Sequence, residues 1–360
     1  MIATRTTMPA VVKHGHEPGM VALREVPVPA KDAGALPGGT VLVRVERAGV
    51  CGWDIEMWQH RMANPVTVPV IQGHEFCGTI AAVGEGVTAW KEGDRVACET
   101  SAVVCGRCRC CRRGDYHLCP DRKGFGYGVD GAFAPYVVVR EAILHRLPET
   151  LGFEAAALAE PFCVCHQALV DRGRVSAGDA VLVIGPGPIG LASLQMAKLS
   201  GAATTLLLGT PRSGSRLELA TARGWADAAA ALTGDDAAAW VKDQTGGEGI
   251  DVVVDCAGKS EALKLALRAV RRGGQVIKIG WGPKPFEHSL DDLLRKGATL
   301  SGSFSHNSRN WEAVLALLAA GRLDAKGMIS DVVPLERWHE AFQRVENREA
   351  VKMVLRPEAS

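Results

Sequence analysis

A thiol, an imidazole and a carboxylate lie within one stretch that opens with Cys51-Gly52-Trp53-Asp54 and closes with Gly73-His74-Glu75. These are side-chain types that bind zinc well. Structural zinc sites draw ligands from short, paired spacings. Cys51 and His74 are too far apart for that, so a fold must bring them together, and a loose trio points to an open, catalytic metal. On this stretch alone, a buried thiol and an ordinary histidine at a strand edge explain the residues equally well.

A second group is tighter. Cys105, Cys108, Cys111 and Cys119 are separated by two, two and seven residues. Short spacings let one loop wrap a metal with backbone N–H groups facing the sulfurs, and the longer gap lets the chain return to close a tetrahedron. Four thiolates leave no open position, so this site is structural. Cys110 is the spare thiol, because using it in place of Cys111 leaves a one-residue gap. The alternative is a cysteine-rich loop with incidental thiols. Arg107, Arg109, Arg112 and Arg113 offset the thiolate charge or simply solvate the loop.

The third group is Gly185-Pro186-Gly187-Pro188-Ile189-Gly190, a G-x-G-x-x-G sequence between the apolar run Val181–Ile184 and a helical segment. That context makes it a dinucleotide fingerprint. Gly185 permits the turn, Gly187 lets backbone approach a pyrophosphate, Gly190 lets helix pack on strand, and the helix start at Pro188-Ile189 holds the phosphate charge. About 20 residues on, a carboxylate should meet the ribose 2′-hydroxyl. The chain reads Gly209-Thr210-Pro211-Arg212-Ser213 there. An arginine without a carboxylate favours NADP over NAD, unless Arg212 only solvates the turn.

These groups need two kinds of scaffold. Val41, Val43 and Val45 alternate with polar residues as in a half-buried strand, and β patterning with Gly and Pro turns continues to about residue 147. Ala155–Ala168 reads as a helix that Pro161 kinks or restarts, leaving the Glu160 region irregular. After about residue 175, strand-like runs (180–184, 204–208, 251–254, 275–279) alternate with helical segments, the rhythm of a doubly wound parallel sheet. Leu263, Leu267 and Val270 share a helix face that Gly273-Gly274 should stop. Trp311, Val314, Leu315 and Leu318, and likewise Trp338, Ala341, Phe342 and Val345, read as core faces, and the last strand, 351–355, as a return to the first domain. The fold class is therefore α/β: a β-rich domain over residues 1–162, completed by 306–360, and a Rossmann domain over 163–305.

The chain has 360 residues, is 47% apolar, and carries 41 basic against 40 acidic residues. It can build two cores, but has no field to draw nucleic acid or an anionic membrane. No apolar run spans a bilayer and no signal block opens the sequence, so a cytoplasmic location is expected. Eleven cysteines in such a chain favour metal over disulfides.

The trio, the four-thiol loop and the fingerprint, in that order, resemble the zinc-dependent medium-chain alcohol dehydrogenases, nearest the sorbitol and threonine dehydrogenase branch. Gly93-Asp94-Arg95-Val96 and Glu160-Pro161 add to the likeness, which covers essentially the whole chain. The resemblance implies a GroES-like catalytic domain holding two zincs per chain and a Rossmann domain for NAD or NADP. It implies that Cys51, His74 and Glu75 bind or approach the catalytic zinc and that Glu160 holds or contacts its water. It further implies that Asp54 orients His74 and that Lys352 lies near the cofactor. The implied reaction is hydride transfer between a secondary alcohol, a small polyol or sugar derivative, and the nicotinamide, in a homodimer or homotetramer.

Two departures stand out. Trp53 occupies the position where the family carries a proton-relay hydroxyl. Glu56, where many relatives carry histidine, could take over proton transfer, as could water held by Glu75 or Glu160, or Glu56 is only a surface residue. Ser305-His306 replaces an Arg-Tyr pair of sorbitol dehydrogenases; His306 either binds a substrate hydroxyl or is structural. Trp53, Trp58, Phe125 and Trp281 are expected to shape the pocket. The competing readings are a zinc-binding interaction module and a reductase relative without catalytic zinc.

Overall fold

The computed structural model describes residues 6–30, 33–62, 65–282 and 284–358. The chain divides into two compact units. One comprises Met1–Glu160, Asn307–Gly321 and Ala325–Ser360; the other comprises Pro161–His306 and Arg322–Asp324.

In the first unit the long strand Thr40–Gly49 is the axis of a seven-stranded sheet. It pairs antiparallel with Glu75–Val83, Tyr136–Arg140 and Lys352–Arg356. Its burial explains this central place. Val41, Val43 and Val45 enter one core cluster, while Leu42 enters another on the opposite face. The alternation with polar residues survives only where Arg44 and Glu46 lean outward. A separate three-stranded sheet, ordered Val21–Pro27, Thr7–Lys13, Val70–Ile71, carries the chain towards His74. The C-terminal strand pairs Val354 with Gly49, so the last residues lie beside Cys51.

The second unit is a six-stranded sheet in which every neighbouring pair is parallel. Its spatial order is Ala228–Ala230, Thr204–Leu208, Ala180–Ile184, Ile250–Asp255, Val270–Lys278, Thr299–Gly302. This is the doubly wound order, with its switch point beside the strand Ala180–Ile184. The runs around 182, 206, 253 and 276 are buried on both faces, as parallel strands require. Two expectations need correction. The helix Ser260–Ala269 ends before Gly273-Gly274, and both glycines lie inside the strand Val270–Lys278, near an irregular register. The helix over 155–168 does restart, as Phe153–Ala156 and then Ala159–His166 with Pro161 in its first turn, running on into a π-helix over Gln167–Arg172; but the Glu160 region, expected to be irregular, is helical.

Among the described residues, no helix is long and apolar enough to cross a membrane.

Candidate active site

Cys51 is the N-cap of the short helix Gly52–Trp58. Asp54, in that helix's first turn and fully buried, accepts the Cys51 backbone N–H at 2.9 Å. The cap therefore fixes where the thiol projects. His74 and Glu75 sit at the start of the strand Glu75–Val83, which pairs Glu75 with Gly49. One ligand atom from each of Cys51, His74 and Glu75 lies within 4.8 Å of the others. His74 Nδ1 faces Asp54 Oδ1 at 3.6 Å, an ion-pair distance too long for a hydrogen bond. The Gln72 amide donates to the Asp54 carbonyl at 3.3 Å, tying helix to strand.

Glu75 has a partner 277 residues away. Lys352 Nζ donates to its Oε1 at 2.7 Å and lies 2.5 Å from Oε2, with both side chains 1% exposed. Gly49 makes room for this pair, since a Cβ there would run into Glu75 Oε2 and press on Lys352 Cε. Glu160, also buried, adds its charge to the same pocket.

The electrostatics match a cation site. Burial pushes the Cys51 thiol up, the Glu75 carboxylate pushes it further, and His74 and Lys352 pull it back. Burial raises Glu75 too, opposed by Lys352 and reinforced by Glu160. Burial works to lower His74, but Asp54, helped by Cys51, outweighs it and holds the imidazole well above its ordinary range. Lys352 is also opposed by burial, yet Glu75 keeps its ammonium above the usual value. Four acidic groups, Cys51, Asp54, Glu75 and Glu160, crowd one buried imidazole and one ammonium. A divalent cation reverses the sign of this problem by favouring thiolate, carboxylate and neutral imidazole together. The donor set fits zinc.

The four-thiol loop lies in the same unit. Cys105, Cys108, Cys111 and Cys119 bring their sulfurs within 4.8 Å of one another, without Cys110. Backbone N–H groups already face the sulfurs: Cys108 N to Cys105 Sγ at 3.2 Å, Cys111 N to Cys108 Sγ at 3.4 Å, and Cys105 N to Cys119 Sγ at 3.3 Å. This arrangement fits a tetrahedral structural metal.

In the second unit, Gly185 ends the strand Ala180–Ile184 and Gly187 caps the helix Pro188–Leu199, with Pro188 at its first position and Ile189 next. A Cβ on Gly190 would collide with the Gly185 carbonyl, so only glycine allows this helix to approach the turn.

Two family models cover most of the chain. The alcohol dehydrogenase GroES-like domain matches residues 37–149, and the zinc-binding dehydrogenase model matches 188–320. The sorbitol dehydrogenase of Halalkalibacterium halodurans is 37% identical over 97% of this chain and 99% of its own. The D-arabitol-phosphate dehydrogenase of Enterococcus avium is 37% identical over 88% and 89%. The crystal structure of a zinc-binding dehydrogenase from Sinorhizobium meliloti bound to NADP superposes with a TM-score of 0.87, at 30% identity over 98% and 100% of the two chains.

The chain belongs to the zinc-dependent medium-chain alcohol dehydrogenases.

It is thus an oxidoreductase of alcohols that uses zinc and a nicotinamide cofactor. Within this dehydrogenase the other candidate residues fall as follows. Glu56 points to the surface, where Arg61 donates to it at 3.0 and 3.2 Å, and its side chain is 44% exposed. It is not part of the trio. Lys352, expected near the cofactor, donates its ammonium to Glu75. Thr210 and Arg212 follow the strand Thr204–Leu208; the Thr210 hydroxyl lies 3.3 Å from that of Ser213, and Arg212 is exposed. His306 is fully buried and follows Ser305, whose φ is +55°. Trp53 meets the ring of Tyr127 edge-on, Trp58 packs on His339 and Phe342, and Phe125 is buried against Phe76. Trp281 is 63% exposed.

Sequence reasoning missed Gly49 and the true partner of Lys352. No local signal carried either, because both depend on how strands pair across the whole first unit.

Proposed function

We propose that this dehydrogenase interconverts a secondary alcohol of a small polyol or sugar derivative with its ketone, using NADP in preference to NAD. The observation that carries the reading is the meeting of Cys51, His74 and Glu75 within 4.8 Å in a buried pocket. The names of the relatives, sorbitol and D-arabitol-phosphate dehydrogenases, supply the substrate class.

Cys51, His74 and Glu75, with Glu160 beside them, would hold the catalytic zinc, and Cys105, Cys108, Cys111 and Cys119 a second, structural one. Bound zinc supplies a Lewis acid that eases loss of the hydroxyl proton near neutral pH. The chain's own residues do the rest. Asp54 orients His74, and Lys352 holds the Glu75 carboxylate. Burial excludes water and strengthens every charge interaction. Glu56 lies at the surface in an ion pair with Arg61 and outside the trio, so the proton leaves by way of water held by Glu160 or Glu75. Gly185, Gly187 and Gly190 let the Pro188–Leu199 helix start receive the pyrophosphate, and Arg212 and Thr210 face the ribose 2′-position. Residues 1–162 with 306–360 act as the catalytic domain and 163–305 as the cofactor domain, in a cytoplasmic homodimer or homotetramer.

The test is a spectrophotometric panel of polyols and polyol phosphates with both cofactors, alongside metal analysis. We expect two zincs per chain and activity on at least one polyol. We expect KM for NADPH about tenfold below that for NADH, and that advantage lost in Arg212→Ala. A strong NADH preference sinks the cofactor assignment; one zinc or none sinks the two-zinc assignment.

A further inference from the structure

The segment that leaves the four-thiol loop touches both ends of the metal-binding trio. Arg122 follows Cys119 by three residues, and its backbone N–H bonds the Cys119 carbonyl at 3.1 Å. Its guanidinium then spreads over three oxygens: Ser101 Oγ at 2.9 Å, Thr100 Oγ1 at 2.7 Å and the Tyr127 hydroxyl at 2.5 Å. Thr100 and Ser101 are buried, so two arms of this fork are fixed to the core and the third holds Tyr127.

Tyr127 in turn meets Trp53, with ring centroids 6.0 Å apart at 69°. The Trp53 Nε1 is buried with no acceptor among the described residues. The indole is therefore placed by packing, and Tyr127 is a ring it packs on. Trp53 lies between Cys51 and Asp54, in the helical turn that sets the thiol.

The same segment presses on the other end. Gly131 N donates to the Ile71 carbonyl at 2.8 Å, Phe133 N to Gln72 at 2.8 Å and Ala132 N to Gly73 at 3.0 Å. Tyr127 itself accepts the Thr67 N–H at 2.8 Å. Gly126 and Gly131 approach Gly73 so closely that a Cβ on either would strike its backbone. Gly73 precedes His74.

We propose that Arg122 and Tyr127 are positioning residues that transmit the geometry of the four-thiol loop to Trp53 directly and to Gly73 through the segment they anchor, Gly126 and 131–133, and so hold Cys51 and His74 in register. This gives Trp53 a role. Trp53 is a ring through which one metal-binding region braces the other. The inference rests on the zinc reading of the trio, but not on any substrate.

Tyr127→Phe keeps the ring and removes only the hydroxyl held by Arg122. Arg122→Met removes the fork, and Arg122→Lys restores its charge. Hydrogen exchange read on peptides over 50–58 and 72–76 needs neither metal nor substrate. We expect exchange about tenfold faster in both segments of Tyr127→Phe, with the strand Ala180–Ile184 unchanged. In cobalt-substituted enzyme, the absorption of the Cys51 site should shift, kcat should fall more than KM rises, and Arg122→Lys should recover part of both. Wild-type exchange in both segments of Tyr127→Phe overturns the proposal, and this variant decides alone should Arg122→Met not fold. Uptake of cobalt by wild-type protein with the four-thiol spectrum alone, unchanged in Cys51→Ser, would instead remove the zinc reading of the trio, while the exchange experiment would still report the coupling.

Discussion

The two thiol-bearing regions of the first unit solve the same problem in opposite ways. The four-thiol loop is built locally. Four cysteines within fifteen residues face backbone N–H groups, and those donors bring the Cys105 thiol down to about 7 before any metal arrives. The trio is built by the whole fold. Its thiol is buried and pushed up, and its carboxylate is matched by a lysine from the last strand. A site prepared by short hydrogen bonds is ready for a closed tetrahedron and needs little else. A site prepared by burial and long-range charge is expensive to assemble, but it stays reactive because its charges remain only partly satisfied.

The sharpest way to break this contrast is to remove one thiol from each region. Cys51→Ser takes a ligand from the open site. We expect kcat/KM to fall about a thousandfold, with one zinc retained and the fold intact by circular dichroism. Cys119→Ser takes a ligand from the closed site. We expect the Cys51 site to keep its zinc at low temperature, and the protein to unfold at lower temperature. If both variants lose activity equally without a difference in thermal stability, the division into catalytic and structural regions is wrong.

How much of this could be read in the chain follows the same division. The convergence of the four sulfurs was legible, since those cysteines are neighbours and their spacing sets Cys110 apart. The fingerprint was legible for the same reason, because strand, turn and helix are contiguous from Ala180 to Leu199. The trio's members were visible, but not what surrounds them. Lys352 meets Glu75 only because the C-terminal strand pairs beside Gly49, and no local pattern announces a contact spanning 277 residues. Two strands of the parallel sheet were also hidden. Ala228–Ala230 is poor in β-branched residues, and Thr299–Gly302 is largely exposed, so neither reads as a buried run.

The Lys352 contact gives a second, smaller test. Removing one partner of a buried ion pair leaves the other uncompensated, at a cost of about 3 kcal/mol. In Lys352→Met that partner is Glu75, which a bound cation would also neutralise. The loss should therefore be large in chelated protein and mostly recovered when zinc is restored. Denaturant titrations of the wild type and Lys352→Met, each with and without metal, measure it. An equal loss in both states would mean that Lys352 supports the fold and not the metal pocket.

The mildest test compares the thiols themselves in metal-free protein. Alkylation follows the thiolate. For an acid whose pKa is lowered, the reactive form is present above that pKa and lost as pH falls through it. Backbone donors, Arg107 first and then Cys108, put Cys105 at about 7, so its alkylation should rise between pH 6 and 8 and then level off. Cys111, 3.9 Å away sulfur to sulfur, is held up to about 12 by burial and its neighbouring thiols, so its own proton should stay in place over that range. Cys51 is raised by burial and by Glu75, and should stay nearly unreactive where Cys105 has already reacted. Mass mapping of iodoacetamide adducts against pH distinguishes the three. Cys51 reacting alongside Cys105 at pH 7 would show that the trio, too, comes with a prepared thiolate, and the contrast between a locally built and a globally built site would collapse.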